Sequence, residues 1–239
     1  MKTLVTNAEL EQVGEGLIRK FIRDRHPPPN CIDIEGFITD FLHLPIVYVS
    51  IAEADRDKIG FMADGNYPLQ VYEEGRIVER LYARGTVVID RWLLHEDRSG
   101  QRRFTMAHEA AHVIFERMSP LAPGPCFNRY FDREQCYSAA ELRARFSLCE
   151  MQTDRLASVL LMPRFLTERT LAEHTGGTPI RVYGNGVLTS RDKVTVQTMA
   201  NSLGVSFSAL LNRLRVLDCL EYRDIAEYID MEMNFGGEL

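Results

Sequence analysis

Apolar residues recur at two different spacings along this chain, and the change of spacing predicts where helices give way to strands. From residue 7 to residue 25 they follow the helical repeat and form one apolar stripe: Leu10, Val13, Leu17, Ile18 and Phe21. Prolines at 27–29 end this helix because proline cannot continue the backbone hydrogen bonding. A short helix is then predicted over 34–42 and a strand over 46–49.

Between residues 58 and 90 the apolar residues form short, strand-like runs instead. The strands predicted from these runs are 59–62, 69–72 and 86–89. Glycine next to Asp, Asn or Glu at 64–66 and 73–75 predicts tight turns between them. The segment is therefore expected to form a small, mostly antiparallel sheet.

Helical spacing returns near residue 99 and continues toward the C-terminus. One helix is predicted to begin with Ser99 as its N-cap, and a second to run from 138 to 161 and stop before Pro163. The intervening residues 119–137 are rich in proline, glycine and aromatic residues. They are predicted to form a long loop.

The last quarter of the chain predicts two further helices, over 192–202 and 206–217, after a loop or hairpin at 175–190. We therefore expect an α+β fold. A mainly helical domain would cover 1–190, and a helical segment over 191–239 would pack on it.

Composition narrows the classes of function. The chain has 239 residues and a net charge of −6, which argues against broad electrostatic binding to nucleic acid. No segment reaches the roughly 18–20 apolar residues that cross a bilayer, and none has the form of a signal peptide. The cysteines are odd in number and scattered, which is more typical of a reducing compartment than of a disulfide framework: Cys31, Cys126, Cys136, Cys149 and Cys219. We expect a cytoplasmic protein with no membrane contact.

The segment His108-Glu109-Ala110-Ala111-His112 carries the strongest chemical signal. Two histidines four residues apart on a helix share one face, at the separation that two ligands of one tetrahedral Zn²⁺ require. Glu109 projects beside them and is expected to act as general base on a water activated by the metal. The alternative is a pair of surface histidines, because this motif arises by chance in about one chain in a hundred of this length.

A catalytic zinc site needs a third protein ligand, and the predicted helix 138–161 offers two carboxylates. Glu150 and Asp154 are four residues apart, so one can bind the metal while the other accepts the free ring N–H of a ligand histidine. Such a pair after HExxH is the arrangement of thermolysin-like zincins, although a solvated acidic pair is the simpler alternative. The rival third ligands are His174, Cys126, Cys136 and Cys149.

Two segments resemble a known family. Residues 101–112 resemble the R-x-R-F-T-x-A-H-E-x-x-H block of the ImmA/IrrE metallo-endopeptidases, and 150–163 resemble their E-x-x-A-[ND]-x-F-A-x-x-L-L-M-P block. The resemblance implies a zincin-like fold. It also implies the site roles, with Glu109 as general base and with three zinc ligands: His108, His112 and Glu150. Asp154 is then left to orient a ligand histidine.

The chain departs from the family pattern at two places. Thr153 and Leu156 stand where the family has Ala and Phe, and the segment between the two blocks is longer than usual. The resemblance implies an endopeptidase that cleaves a helix-turn-helix repressor and so relieves repression. The alternatives are a non-catalytic zinc-containing regulator that binds DNA, and an anti-repressor that binds the repressor without cleaving it.

The C-terminal helices bear on these alternatives. Residues 200–206 have the A-x-x-x-G-V-S form of a helix-turn-helix, and 205–214 match a V-S-x-x-A-L-x-x-R-L segment common at the end of the family. The second helix is mainly apolar, with Arg213 and Arg215 near its end, whereas DNA reading favours basic and amide side chains. DNA binding through 192–217 is therefore less favoured than a structural role.

Overall fold

The structure, a computed structural model, describes residues 5–25, 27–54, 58–118 and 139–232. The chain divides into two compact units, Met1–Leu161 and Met162–Leu239. This division differs from the predicted boundary at residue 190. The reason is a strand pairing: Ile180–Tyr183 joins Leu220–Arg223, which ties the segment before residue 190 to the C-terminal residues. The architecture is α+β, as predicted.

The helices of the first unit are Asn7–Phe21 (α1), Ile34–Gly36 (α2), Ser99–Met118 (α3) and Ala139–Leu161 (α4). Helix α1 begins with a capping box between Thr6 and Glu9 and ends four residues before the predicted end. It packs against α4 through Gly14, where a Cβ atom would lie 2.5 Å from Val159 Cγ1. Glycine at this position lets the two helices approach closely.

Two helix predictions need correction. The short helix predicted over 34–42 is α2 followed by a π-helical turn, Phe37–Phe41, whose aromatic rings pack on Phe21. Ser99 is not the N-cap of α3, because its backbone is already helical, with φ −54° and ψ −44°. An N-cap residue requires an extended backbone to turn its side chain back on the helix.

The strands of the first unit are Ile46–Val49 (β1), Gly60–Met62 (β2), Leu69–Glu73 (β3), Arg76–Arg80 (β4) and Val87–Asp90 (β5). The order β1–β5–β2 forms a mixed sheet, in which β1 is parallel to β5 and β2 is antiparallel to it. The strand pairs formed within 58–90 are antiparallel, as predicted, but they belong to two sheets instead of one. Strands β3 and β4 form a separate antiparallel hairpin, with both turn residues, Glu74 and Gly75, at positive φ.

The three-stranded sheet lies between this hairpin and α3. Val88 of β5 packs with Leu69 and Val71 of the hairpin. Because side chains alternate along a strand, Val87 and Ile89 face the opposite side. There α3 contacts both β5 and β2. The sheet thus supports α3 on one face and places β2 beside this helix.

The elements of the second unit are Arg164–Thr175 (α5), Ile180–Tyr183 (β6), Ser190–Leu203 (α6), Phe207–Val216 (α7), Leu220–Arg223 (β7) and Ile225–Glu232 (α8). Helices α6 and α7 confirm the two predicted C-terminal helices. Strands β6 and β7 pair in parallel. Across the described ranges, no helix is both long and apolar enough to cross a membrane.

Candidate metal centre

Helices α3 and α4 pack against each other and bring two polar faces together. The opposite face of α3 is buried and rich in alanine, which allows close packing: Met106, Ala107, Ala110, Ala111 and Ile114. His108 and His112 lie one turn apart on the polar face, with ring centroids 4.7 Å apart and planes at 79°. Glu150 and Asp154 reach the same place from α4.

Three potential ligand atoms converge at this point. The Nε2 atoms of His108 and His112 are 3.0 Å apart, and Glu150 Oε2 lies 3.2 Å from the first and 3.9 Å from the second. A point equidistant from three atoms at these separations lies about 2.0 Å from each, the bond length that a small divalent cation makes to imidazole and carboxylate. His108, His112 and Glu150 therefore form a group that can hold a metal ion.

Asp154 orients one of these ligands. Its Oδ1 lies 2.9 Å from Nδ1 of His108, on the side of the ring away from the converging atoms. A carboxylate at this distance accepts the Nδ1–H, and in the neutral ring that leaves the Nε2 lone pair directed at the metal position. The structure thus brings both predicted carboxylates to the histidine pair and places them at different nitrogens of His108.

The pKa values of the histidines and of Glu150 are shifted by burial and by one another. Burial lowers the pKa of His108, but hydrogen bonds to Asp154 and Glu150 and the charge of Glu109 outweigh burial and raise it to about 10. Burial and the neighbouring His108 charge lower the pKa of His112. The hydrogen bond with His108 lowers the pKa of Glu150. A proton on His108 supplies the positive charge that these carboxylates require.

Glu109 is buried, with 7% of its surface exposed, and lies against strand β2. Burial raises the pKa of Glu109 to about 7, and His108, Lys58 and a hydrogen bond from the backbone N–H of Met62 oppose this rise. A carboxylate with a pKa near neutrality can both accept and donate a proton at physiological pH. This is the property required of a general acid–base catalyst.

Arginines of α3 fasten the helix to the surrounding loops. Arg103 Nη2 donates to the backbone oxygen of Ile32 at 2.7 Å, and Arg117 Nη2 donates to that of Leu42 at 2.9 Å. Hydrogen bonds from a charged donor to buried backbone are stronger than those between neutral groups. The arginines near the HExxH motif therefore hold the ligand-bearing helix in place.

Sequence reasoning missed the contribution of β2. Gly60, Met62 and Lys58 all act on Glu109, yet they precede it by about fifty residues and appear in the sequence only as part of a strand-like run. The one available signal was a glycine inside a strand pattern, which indicates close approach of another chain segment.

Two of the four rival ligands, His174 and Cys149, lie in the described part of the chain and do not join the group. His174 lies in the last turn of α5, where its Nδ1 is 2.9 Å from the Thr170 carbonyl oxygen. Cys149 is half-buried on α4. Over the described ranges, the metal-ligating group consists of His108, His112 and Glu150. Cys126 and Cys136, with the whole predicted loop 119–137, lie outside those ranges.

Comparison with known proteins adds no further assignment. No protein-family model matches the chain, and no curated protein matches it at a significant level. The likeness to ImmA/IrrE peptidases thus remains a resemblance of two segments. The chemistry of the metal-ligating group and of Glu109 is the basis for assigning a function.

Proposed function

We propose that this protein is a zinc-dependent endopeptidase. His108, His112 and Glu150 hold the zinc ion, Glu109 is the general base, and Asp154 orients His108. The observation that carries the proposal is the convergence of three ligand atoms at a histidine pair whose helix also bears the buried carboxylate of Glu109. A purely structural metal site has no use for such a carboxylate.

The donor set favours zinc. Two imidazole nitrogens and one carboxylate oxygen are the protein ligands of many catalytic zinc sites, which leave a further position for water or substrate. In the described part of the chain no fourth protein ligand joins the group. When bound, zinc supplies Lewis-acid activation of water and of the scissile carbonyl.

The residues of the chain then carry the proton transfers. The Glu109 carboxylate takes a proton from the attacking water as the oxygen adds to the carbonyl carbon. The same carboxyl group passes that proton to the amide nitrogen as the C–N bond breaks. Burial keeps Glu109 away from bulk water, so its proton is delivered to the leaving nitrogen. Asp154 keeps the His108 ring from rotating away from the metal.

The substrate class follows from the sequence resemblance. Segments 101–112 and 150–163 are similar to peptidases that cleave a helix-turn-helix transcriptional repressor. We therefore propose a peptide bond of such a repressor as the target and relief of repression as the outcome. Cleavage in trans requires no DNA binding by the peptidase itself.

A DNA-binding regulator is less well supported. Arg213, one of the two basic residues of α7, is buried with 3% of its surface exposed, and its Nε donates to the backbone oxygen of Met162 at 2.7 Å. It cannot reach a base or a phosphate from this position. Arg215 is exposed but its Nε donates to the Tyr222 hydroxyl.

The proposal is tested by incubating the protein with the repressor encoded beside it, with and without a chelator, and identifying fragments by mass spectrometry. We expect defined fragments with the zinc-loaded protein and none after zinc removal. Glu109→Gln should retain zinc and lose about 10²–10⁴-fold in cleavage rate. The exposed Glu168→Gln serves as the matched control and should cleave normally.

Two outcomes would redirect the assignment. Intact repressor under every metal condition contradicts the peptidase. Full derepression in cells by Glu109→Gln, with intact repressor, favours an anti-repressor that acts by binding alone.

A further inference from the structure

Strand β2 has one side that faces away from its partner. Ile59 O accepts from Asp90 N, and Ala63 N donates to Thr86 O, both at 2.9 Å. Because antiparallel partners alternate along a strand, the polar backbone groups of Gly60 and Met62 point away from β5. In the described part of the chain no other strand pairs with that side of β2.

The Glu109 carboxylate occupies this outer side of β2. The backbone N–H of Met62 donates a hydrogen bond to it. The carboxylate fits here because residue 60 is glycine: a Cβ atom at residue 60 would lie 2.9 Å from Glu109 Oε1 and 2.4 Å from Thr105 Cγ2. Real Cβ atoms essentially never make contacts shorter than 3.0 Å, so an alanine at residue 60 would force Thr105 or the Glu109 carboxylate to shift.

The requirement for glycine at residue 60 is one of space. Its φ lies outside the left-handed region, so alanine can adopt the same backbone conformation. Thr105 and Glu109 are both buried on α3, four residues apart, and therefore share one face of the helix. An added methyl group would push against this face at the carboxylate.

We propose that Gly60 is a positioning residue for the general base: its bare Cα and the Met62 N–H together fix one orientation of the Glu109 carboxylate toward the metal position. This inference rests on the proposed function. A reacting group misplaced by about 1 Å can cost on the order of 10²-fold in rate. The three atoms nearest to a Cβ at residue 60 belong to Thr105 and Glu109 and not to a metal ligand, so we expect the substitution to act on the general base more than on metal binding.

The kinetic test compares Gly60→Ala with Gly16→Ala, whose added Cβ meets no atom within 4 Å. We expect Gly60→Ala to lower kcat about 10–100-fold, with KM and zinc affinity changed less than about threefold. Gly16→Ala should leave all three unchanged. Normal kcat in zinc-loaded Gly60→Ala would overturn the proposal.

Thr105→Ser separates the two contacts. It removes the Cγ2 methyl group and keeps the hydroxyl that donates to the Gln101 carbonyl oxygen. In the Thr105→Ser background, Gly60→Ala should regain only the part of its thermal stability that the clash with the Thr105 methyl group had cost, and it should still show the loss in kcat. Full recovery of kcat in the double variant would mean that residue 60 affects packing against Thr105 only, and the positioning role would be wrong.

A stability cycle tests the same contact without any substrate. In the Thr105→Ser background, Gly60→Ala should lower Tm by roughly 3 °C while Glu109 is present. With Glu109→Ala added, the Tm shift from Gly60→Ala should vanish because the opposing carboxylate is gone. An equal shift in both backgrounds would overturn the inference. Because this cycle requires no cleavage, a coupled result together with an inactive wild-type protein would reject the peptidase while retaining the contact.

Discussion

The helix pair α3–α4 and the helix pair α6–α7 both place charged side chains among apolar ones. The two pairs differ in what neutralises or satisfies those charges. In α7, the buried Arg213 finds a neutral backbone carbonyl and is satisfied within the protein. Between α3 and α4, carboxylates and imidazoles face one another, and one ligand atom each of His108, His112 and Glu150 lies within 4.8 Å of the other two. Burial of a charged residue thus does not mark a functional site.

What distinguishes the α3–α4 pair is how its charge is balanced. Glu109, Glu150 and Asp154 surround two imidazoles, and in the absence of a cation His108 holds a proton well above its ordinary pKa. Carboxylates that crowd a small space favour a bound cation. In α7 a single guanidinium donates to a backbone oxygen, which calls for no ligand.

The largest expected effect is the loss of zinc affinity when a metal ligand of the α3–α4 site is removed. Glu150→Ala should weaken zinc binding by more than about 100-fold, because a residue that touches the metal contributes more than a residue that only orients a ligand, whose loss costs about 10–100-fold. Titration calorimetry with zinc measures this. Glu168→Ala, which removes an exposed glutamate of α5, should bind zinc normally. Unchanged affinity in Glu150→Ala would remove it from the ligand set.

Arg213→Ala should weaken the attachment of α7 to the backbone at Met162 and leave the α3–α4 site intact. We expect the free energy of unfolding to fall by about 2–4 kcal/mol, from the cavity and from loss of the charged hydrogen bond to the Met162 carbonyl oxygen, which keeps only the Thr167 hydroxyl as a donor. Zinc affinity should not change. The exposed Arg215→Ala on the same helix should cost less than about 0.5 kcal/mol. Denaturant unfolding checks both, and equal effects would show that Arg213 is not a buried structural residue.

Asp154→Asn sharpens the comparison within the metal site. The amide keeps an oxygen near His108 Nδ1 but loses the negative charge that holds the ring, so zinc affinity should fall about 10–100-fold. The exposed Asp230→Asn of α8 is the control. Wild-type affinity in Asp154→Asn would mean that the His108 orientation is set by packing alone.

The smallest expected effect is the release of a proton when zinc binds. In the metal-free protein at pH 7.5, His108 is charged because its pKa is raised to about 10. A histidine binds a metal only through its neutral imidazole, so zinc binding should release about one proton from His108. Zinc affinity should therefore rise with pH toward 10. Calorimetry in two buffers of different ionisation enthalpy measures this release. No release by the wild-type protein would contradict the raised pKa.

The same shift sets the pH dependence of stability without metal. Since the folded pKa of His108 exceeds its ordinary value of 6.5, its contribution to stability is complete below pH 6.5. That contribution is lost as pH rises through about 10.

Prediction from sequence succeeded where local periodicity carries the information. Helices α1, α3 and α4 were visible as repeats of apolar residues, and so was the pairing of Glu150 with Asp154 on one face. It failed for α5, where Thr167 and Thr170 are buried and their hydroxyls donate to carbonyl oxygens one turn earlier. Such threonines look polar in the sequence and disguise an inward face.

Some features of the strands and their turns were predicted from the sequence and others were missed. Strand β4 was missed because four of its five residues are exposed and only Val78 is turned inward. The pairing of β6 with β7 joins segments forty residues apart in parallel, and nothing local specifies that register. The turn at Glu74 and Gly75 was predicted correctly because turn chemistry is local.

The sequence by itself determined which residues share a helix face: His108 with His112, and Glu150 with Asp154. The helical repeat decides this over four residues, whatever the surroundings. Only the tertiary structure decided that these two faces meet and that Gly60 and Met62 of β2 close around Glu109. Such contacts join segments about forty to fifty residues apart, and their geometry depends on how closely side chains pack, which no local pattern encodes.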